Sequence, residues 1–183
     1  MTTTDGVRIA WRAVPAGMPR REVAWALLRE LLPPTATIDN PCPRCGGPHG
    51  PVRIHGAQAA ASVTYAGGHA LVAVCTAEGV AAVGIDAESV EDPRRDAAGL
   101  VGVLGPGAAS VRSWTRVEAA LKADGRGLRV DPAAVRIEEN PAGWIAHVPG
   151  GGSVIGWDAP GPRELVLSVA MRRITEAAAA PSD

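Results

Sequence analysis

The stretch Val83-Gly84-Ile85-Asp86-Ala87-Glu88 decides how we interpret the fold of this chain. It closes a run of three β-type segments, the first two being Ala61–Tyr65 and His69–Cys75, with glycine-containing turns between them. Side chains of a strand alternate between its faces, so Asp86 and Glu88 should lie on one face and the apolar residues on the other. The stretch therefore predicts a strand that carries two carboxylates on one side and a core on the other.

Working outward from this strand, the chain divides into two halves of comparable element order. Each half has one amphipathic helix and a set of short strands, which is typical of an α+β fold with the helix laid on an antiparallel sheet. We predict a first half over residues 1–82, a second over 83–175 and a frayed alanine-rich tail over 176–183. The other predicted elements are a strand over Val7–Trp11, a helix over Pro19–Leu32, a loop over Thr35–Gly56, a weakly patterned segment over Ser89–Gly107, a helix over Trp114–Asp124, and strands over Ala134–Glu138, Gly143–Val148, Ser153–Asp158 and Leu165–Met171.

Composition excludes several classes of function. The net charge of −1 over 183 residues gives no global positive field, so we expect no nucleic-acid partner. No segment approaches the ~20 apolar residues that span a bilayer, and the first residues lack the pattern of a signal peptide. Three cysteines are too few for a disulfide scaffold. We expect a cytoplasmic protein without a membrane partner.

A second motif follows the acidic strand. The predicted helix carries Glu118 and Lys122 four residues apart, so these two side chains share one edge. If this helix packs on the strand, three carboxylates and an amine meet. Such a set can hold a hard divalent cation against a phosphate-bearing ligand. Phosphate chemistry is the first hypothesis.

These residues resemble the signature of the Sfp-type 4′-phosphopantetheinyl transferases. The family's Gly-(Ile/Val)-Asp-x-Glu strand reads Gly84–Glu88 here, and its Trp-(Ser/Thr)-x-x-Glu-(Ala/Ser)-x-x-Lys helix reads Trp114–Lys122. The Gly-x-Gly-Leu turn after that helix reads Gly125-Arg126-Gly127-Leu128. Upstream, Cys42–Gly50 and the helix around Arg20–Arg29 are similar to family segments as well. The resemblance covers most of the chain.

The resemblance implies a pseudodimer of two similar halves with coenzyme A bound between them. It implies transfer of phosphopantetheine from coenzyme A to a serine of an acyl or peptidyl carrier protein, with Mg²⁺ as cofactor. Asp86, Glu88 and Glu118 carry over as metal ligands, and Lys122 as the residue that meets the α-phosphate. Glu118 or a metal-bound water would accept the serine proton. A two-half fold needs no second copy to complete its cleft, so we expect a monomer.

The residues expected to bind coenzyme A are mostly cations, because charged donors grip phosphate groups well. On the carrier-protein side, Arg94, Arg95 and Arg112 are weaker candidates for contact with an acidic partner surface. The full coenzyme-A set is Arg20, Arg21, Arg44, His49, Arg53, Thr64, Tyr65 and Lys122, with Arg8 in the same pool.

Three departures from the family pattern keep an alternative open. Tyr65 stands where the family has a histidine that meets the 3′-phosphate, and Pro51 follows His49-Gly50 where the family has a cation. The segment between the two acidic motifs is short and lacks the glutamate that many members use as a general base. The alternative is a repurposed member of the same fold without transferase activity, either a tailoring enzyme such as a cyclase or a carrier-binding protein.

Cys42-x-x-Cys45 with His49 has the spacing of a zinc knuckle. A fourth ligand is missing, with only His55 or Cys75 as candidates, so from sequence we favour a reduced loop anchor and do not expect zinc. A small zinc-stabilised interaction domain is the third hypothesis, and it depends on these three residues alone.

Overall fold

The computed structural model describes residues 2–91, 97–105 and 109–174 and has an α+β fold, which confirms the predicted class. Its α-helices are α1 (Arg20–Leu31), α2 (Ala97–Leu104) and α3 (Val111–Asp124). Its strands are β1 (Thr2–Thr4), β2 (Val7–Ala13), β3 (Thr37–Asp39), β4 (Arg53–His55), β5 (Ala60–Ala66), β6 (His69–Cys75), β7 (Val80–Ser89), β8 (Arg136–Asn140), β9 (Gly143–Val148), β10 (Gly152–Asp158) and β11 (Leu165–Arg173).

Every strand pairing among the described residues is antiparallel. Strands β2, β6 and β5 form the first sheet, with the short β1 at its edge in the order β1-β2-β6-β5. The second sheet has the order β7-β11-β10-β9-β8, and β3 and β4 form a separate hairpin. Since β7 pairs with β11 over its length, it belongs wholly to the second sheet. The predicted boundary between residues 82 and 83 therefore falls inside β7.

The elements stack in four layers around three apolar clusters. Helix α1 packs on one face of the first sheet, through residues such as Leu28 against Val72. Helix α3 packs on one face of the second sheet, where Leu121 and the fully buried Trp144 belong to the same cluster. The remaining faces of the two sheets meet in the middle, with Leu71 and Ile85 in one core. Strand β6 is consequently buried on both sides, which accounts for its uninterrupted apolar sequence.

Several elements differ from the sequence-based prediction, including β1, which was not predicted, and β8, which begins at Arg136 rather than at Ala134. The hairpin β3–β4 lies within the predicted loop Thr35–Gly56, because three-residue strands carry too little alternation to be recognised. Helix α2 lies in the segment that we described as weakly patterned; its glycine-containing apolar sequence lacks a polar face. The second predicted helix begins earlier, at Val111, since the Ser110 hydroxyl accepts a hydrogen bond from the Ser113 amide at 3.0 Å and caps it.

No helix among the described residues is both long and apolar enough to cross a membrane. The predicted frayed tail, residues 176–183, lies outside the described residues. The similarity of the two halves to each other stays a prediction.

Candidate functional site

The acidic face of β7 lies directly against α3. Alternation along β7 places Val83, Ile85 and Ala87 in the core between the sheets, and the other face toward α3. Gly84 is on that second face: a Cβ built there would lie 2.0 Å from the carbonyl oxygen of Ala119. A glycine in the strand interior is therefore what lets the α3 backbone approach the strand.

Asp86 is the buried anchor of the site. Its side chain is 7% exposed, and its Oδ1 accepts hydrogen bonds from Lys122 Nζ at 2.8 Å and from Thr64 Oγ1 at 3.0 Å. Lys122 Nζ also donates to the carbonyl oxygen of Ile85 at 2.9 Å. Asp86 Oδ2 is buried and has no hydrogen-bond partner among the described residues. A buried carboxylate oxygen left without a donor fits a cation ligand, because an unsatisfied buried acceptor is otherwise costly.

Glu88 and Glu118 complete the predicted acidic set. Glu88 Oε1 accepts a hydrogen bond from the indole Nε1 of Trp114 at 3.0 Å. Since Trp114 meets Glu88 and Lys122 meets Asp86, α3 runs antiparallel to β7 along this face. Glu118 is one turn from both helix residues and so lies on the stripe between them. Asp86 and Glu88 thus contact α3 directly, and Glu118 is on the α3 stripe between their partners.

A different group of side chains has the geometry of a metal site. Among the described residues, the set of three metal-ligand atoms lying within 4.8 Å of one another is that of Cys42, Cys45 and His49. Asp86, Glu88 and Glu118 do not form such a group of three among the described residues. Their assignment as metal ligands stays a prediction.

A cleft of about 760 Å³ opens beside this interface, between elements of the two halves. Its walls are the start of α1, the loop between β3 and β4, strand β5, and the end of α3 with the glycine turn that follows. The two halves are joined at its base, where the amide of Ile85 donates to Ser62 Oγ at 3.2 Å. The volume is in the usual range for small-molecule sites.

The cleft lining is strongly cationic. Its described residues include no Asp or Glu, and its cationic members are Arg20, Arg21, Arg44, Lys122, Arg126 and Arg129, with His49 beside them. In the described part of the chain, Lys122 and Arg126 pair with carboxylates, whereas Arg20, Arg21, Arg44 and Arg129 have no carboxylate within 4.0 Å. Positive charges that share a cleft without counter-ions favour an anionic ligand.

Two arginines at the start of α1 are held in place by neighbours other than carboxylates. Arg21 donates to Asn40 Oδ1 at 2.8 Å and to the carbonyl oxygen of Pro48 at 2.9 Å. The guanidinium of Arg20 lies 4.6 Å from the centre of the Tyr65 ring. Burial raises the pKa of Tyr65, and the charges of Arg20 and Arg21 offset part of that effect. Tyr65 therefore presents a neutral hydroxyl to the cleft at neutral pH.

Of the residues predicted to bind coenzyme A, Arg20, Arg21, Arg44, His49, Tyr65 and Lys122 line the cleft. Thr64 does not; it is buried and orients Asp86. Arg53 is exposed on β4 and outside the cleft lining. The guanidinium of Arg8 donates to the carbonyl oxygen of Leu31 instead.

Two of the three predicted carrier-protein contacts, Arg94 and Arg95, lie outside the described residues. The third, Arg112, is exposed, with its Nε 3.7 Å from Asp158 Oδ2. Contact of these arginines with a carrier protein stays a prediction.

Sequence reasoning missed Arg126 and Arg129, which line the cleft from the turn after α3. Gly125 ends the helix in the left-handed conformation, with φ of 87°. The chain then turns back through Gly127, with φ of 56°, so that both arginines face the cleft. The glycine spacing on either side of Arg126 is the signal that could have found them.

The loop between β3 and β4 brings Cys42, Cys45 and His49 together. Cys45 Sγ lies 3.0 Å from His49 Nε2. Backbone amides of Arg44 and then Cys45 donate toward Cys42 and lower the pKa of its thiol. This cluster is at the rim of the cleft, since Cys42 and His49 line it.

A scan against protein-family models and a search of curated proteins both find no match to this chain. The resemblance described above therefore rests on the residues and their spacing.

Proposed function

We propose that this protein is a Mg²⁺-dependent 4′-phosphopantetheinyl transferase that acts on an acyl or peptidyl carrier protein. The observation that carries the proposal is the cleft with several cations and no carboxylate in its described lining, next to the Asp86–Lys122 pair. Coenzyme A carries a pyrophosphate and a 3′-phosphate, so it supplies the negative charge that such a cleft favours. The two helix-on-sheet units would be the similar halves of the family pseudodimer, active as a monomer.

The chain's own residues would do most of the positioning. Arg21, already fixed by Asn40 and Pro48, would bind a phosphate of the nucleotide without first having to be ordered. Lys122 lies in the cleft and against Asp86, so it would neutralise charge on the departing bisphosphate. Asp86, Glu88 and Glu118 are the oxygen ligands that would hold Mg²⁺, which when bound supplies positive charge to the pyrophosphate.

The proposed reaction breaks one phosphoanhydride bond and forms one phosphodiester bond. The serine oxygen of the carrier attacks the β-phosphorus of coenzyme A, and adenosine 3′,5′-bisphosphate leaves with the bridging oxygen. The serine proton passes to Glu118 and from there to solvent. The products are holo-carrier protein and the bisphosphate.

The direct test is mass spectrometry of several apo-carrier proteins after incubation with the protein, coenzyme A and Mg²⁺. We expect a gain of one phosphopantetheine on at least one carrier, and loss of that gain with Asp86→Ala or Glu118→Ala. An unchanged rate in either variant would remove the metal assignment.

Ligand binding is tested separately by calorimetry with coenzyme A. Arg21→Ala should remove a charge-assisted hydrogen bond of about 1.5–3 kcal/mol, which is roughly 10- to 150-fold in Kd. Arg29→Ala is the matched control, because Arg29 is on the same helix but outside the cleft lining. Equal affinities of the two variants would contradict the placement of the ligand.

A repurposed member of the fold, either a tailoring enzyme such as a cyclase or a carrier-binding protein, is the second candidate. The observation that favours it is the Lys122 ammonium bound to Asp86, together with Tyr65 in place of the family histidine. Coenzyme A binding without transfer to any carrier, by folded protein, would select this candidate over the first.

A further inference from the structure

The cysteine–histidine cluster in the loop between β3 and β4 has the dimensions of a metal site. A tetrahedral zinc with Zn–S of about 2.3 Å and Zn–N of about 2.0–2.1 Å holds its ligand atoms roughly 3.5–3.8 Å apart. The ligand atoms of Cys42, Cys45 and His49 all lie within 4.8 Å of one another, and the Cys45 Sγ to His49 Nε2 distance is 3.0 Å. Small side-chain rotations would bring all three to the metal-bound spacing.

Backbone hydrogen bonds of the loop hold the three side chains in this arrangement. The amide of Cys42 donates to the carbonyl oxygen of Gly47 at 2.7 Å. The amide of Gly46 donates to the carbonyl oxygen of Cys42 at 2.8 Å. Gly46 has φ of 71°, the left-handed conformation that such a reversal needs. Amides of Arg44 and Cys45 also point at the Cys42 sulfur. The turn thus presents two sulfurs and an imidazole nitrogen to one point.

We propose that Cys42, Cys45 and His49 bind one Zn²⁺ ion, with the fourth coordination position open to water. The sequence alone favours a metal-free loop because a fourth protein ligand is missing. The structure shows that the ligand atoms of Cys42, Cys45 and His49 lie close together, which the sequence spacing could not show. Cys75 is buried in the core between the sheets, and His55 pairs with Asp39 at 3.2 Å, so neither is the fourth ligand. Two thiolates and one imidazole select zinc over magnesium, which prefers oxygen ligands.

The ion would stabilise one wall of the cleft. The same loop carries Arg44 and provides the Pro48 carbonyl that fixes Arg21. None of residues 41–50 belongs to the three apolar clusters, so a metal cross-link is an effective way to hold the shape of this segment. The site is separate from the acidic set on β7 and α3, and zinc binding would be present whether or not the protein is a transferase.

The test is the metal content of protein purified under reducing conditions and dialysed against zinc, measured by inductively coupled plasma mass spectrometry. We expect about one equivalent of zinc in the wild type. Cys42→Ser and His49→Gln should each hold less than roughly a tenth of that amount, because removal of one of three protein ligands removes most of the affinity for the metal. Cys75→Ala and His55→Gln are the matched controls and should keep the metal. Circular dichroism checks that each variant is folded.

A second readout identifies the ligands. Replacement of zinc by Co²⁺ should give thiolate-to-cobalt charge-transfer absorption that is lost in Cys42→Ser and retained in Cys75→Ala. Reduced wild type that remains metal-free after exposure to zinc, or a Cys42→Ser variant with wild-type zinc and cobalt spectra, would overturn the proposal.

Discussion

Replacing Gly84 by alanine tests the close contact between β7 and α3, on which the whole acidic face depends. The added Cβ would lie 2.0 Å from the carbonyl oxygen of Ala119 and 2.7 Å from the amide nitrogen of Ala123. Both neighbours are helix backbone, so a side-chain rotation cannot relieve the overlap. Because real Cβ contacts are essentially never shorter than 3.0 Å, α3 must move by at least about 1 Å.

That movement sets the size of the effect. Helix α3 is packed through residues that are almost completely buried, among them Ala120 and Leu121. Overpacking of a tight interior costs about 1–3 kcal/mol, and we expect the upper part of that range since no flexible group can yield. The same shift moves Glu118 and Lys122 away from Asp86, and a misplacement of about 1 Å can reduce a catalytic rate roughly 100-fold.

Urea unfolding followed by circular dichroism measures the first effect, and the carrier-protein assay measures the second. Gly102→Ala is the matched control, because Gly102 is a helical glycine and an added Cβ there would meet no described atom within 4 Å. In that control we expect unchanged or slightly higher stability, by about 0.5–1 kcal/mol. A Gly84→Ala variant that unfolds within about 0.5 kcal/mol of wild type would refute the described contact.

Three other predictions concern the packing around the site. Lys122→Met should lower the free energy of unfolding by about 1–3 kcal/mol because Asp86 loses its charged donor. A double-mutant cycle with Asp86→Asn should show coupling between the two residues, and additive effects would contradict the ion pair. Burial raises the pKa of Asp158, but hydrogen bonds from Arg116 and Ser168 and the charges of Arg116 and Arg112 outweigh this, so the pKa is lowered from 3.8. The ionised Asp158 therefore stabilises the folded state above pH 3.8, and this contribution is lost as the pH falls through the lower folded-state pKa. Asp158→Asn should make stability less dependent on pH in that window, as measured by acid unfolding, and curves identical to wild type would be the contrary result. Ser110→Ala should cost about 1 kcal/mol of stability through loss of the α3 cap, measured by urea unfolding, and no change would show that the cap is not used.

The fold class could be predicted from the sequence because the alternation of apolar and polar residues in its strands has one physical interpretation. Strand β9 has the predicted bounds Gly143–Val148, and alternation along β7 separates acids from core residues as expected. The elements that were missed carry weak local signals. The strands β3 and β4 are three residues long, and their pairing is fixed by contacts distant in sequence.

The candidate site was predictable where spacing alone determines proximity. The interval of four residues between Glu118 and Lys122 predicts one helix edge, and Lys122 on that edge meets Asp86 of β7. Sequence could not show that Thr64 would be buried against Asp86, because this depends on how the two sheets meet. Convergence of the cysteines with His49 likewise depends on a left-handed turn at Gly46, which one glycine among 22 does not reveal.

Strand β6 belongs to two apolar clusters at once, one on each of its faces. The two halves thus share a continuous apolar core. A hinge motion that separated them would expose this core to water. Any adjustment of the cleft to a ligand would then fall on its side chains and on the segment that joins β3 to β4, which is outside the apolar clusters over residues 41–50. The shared interior behind the cleft would keep its packing while the rim adapts.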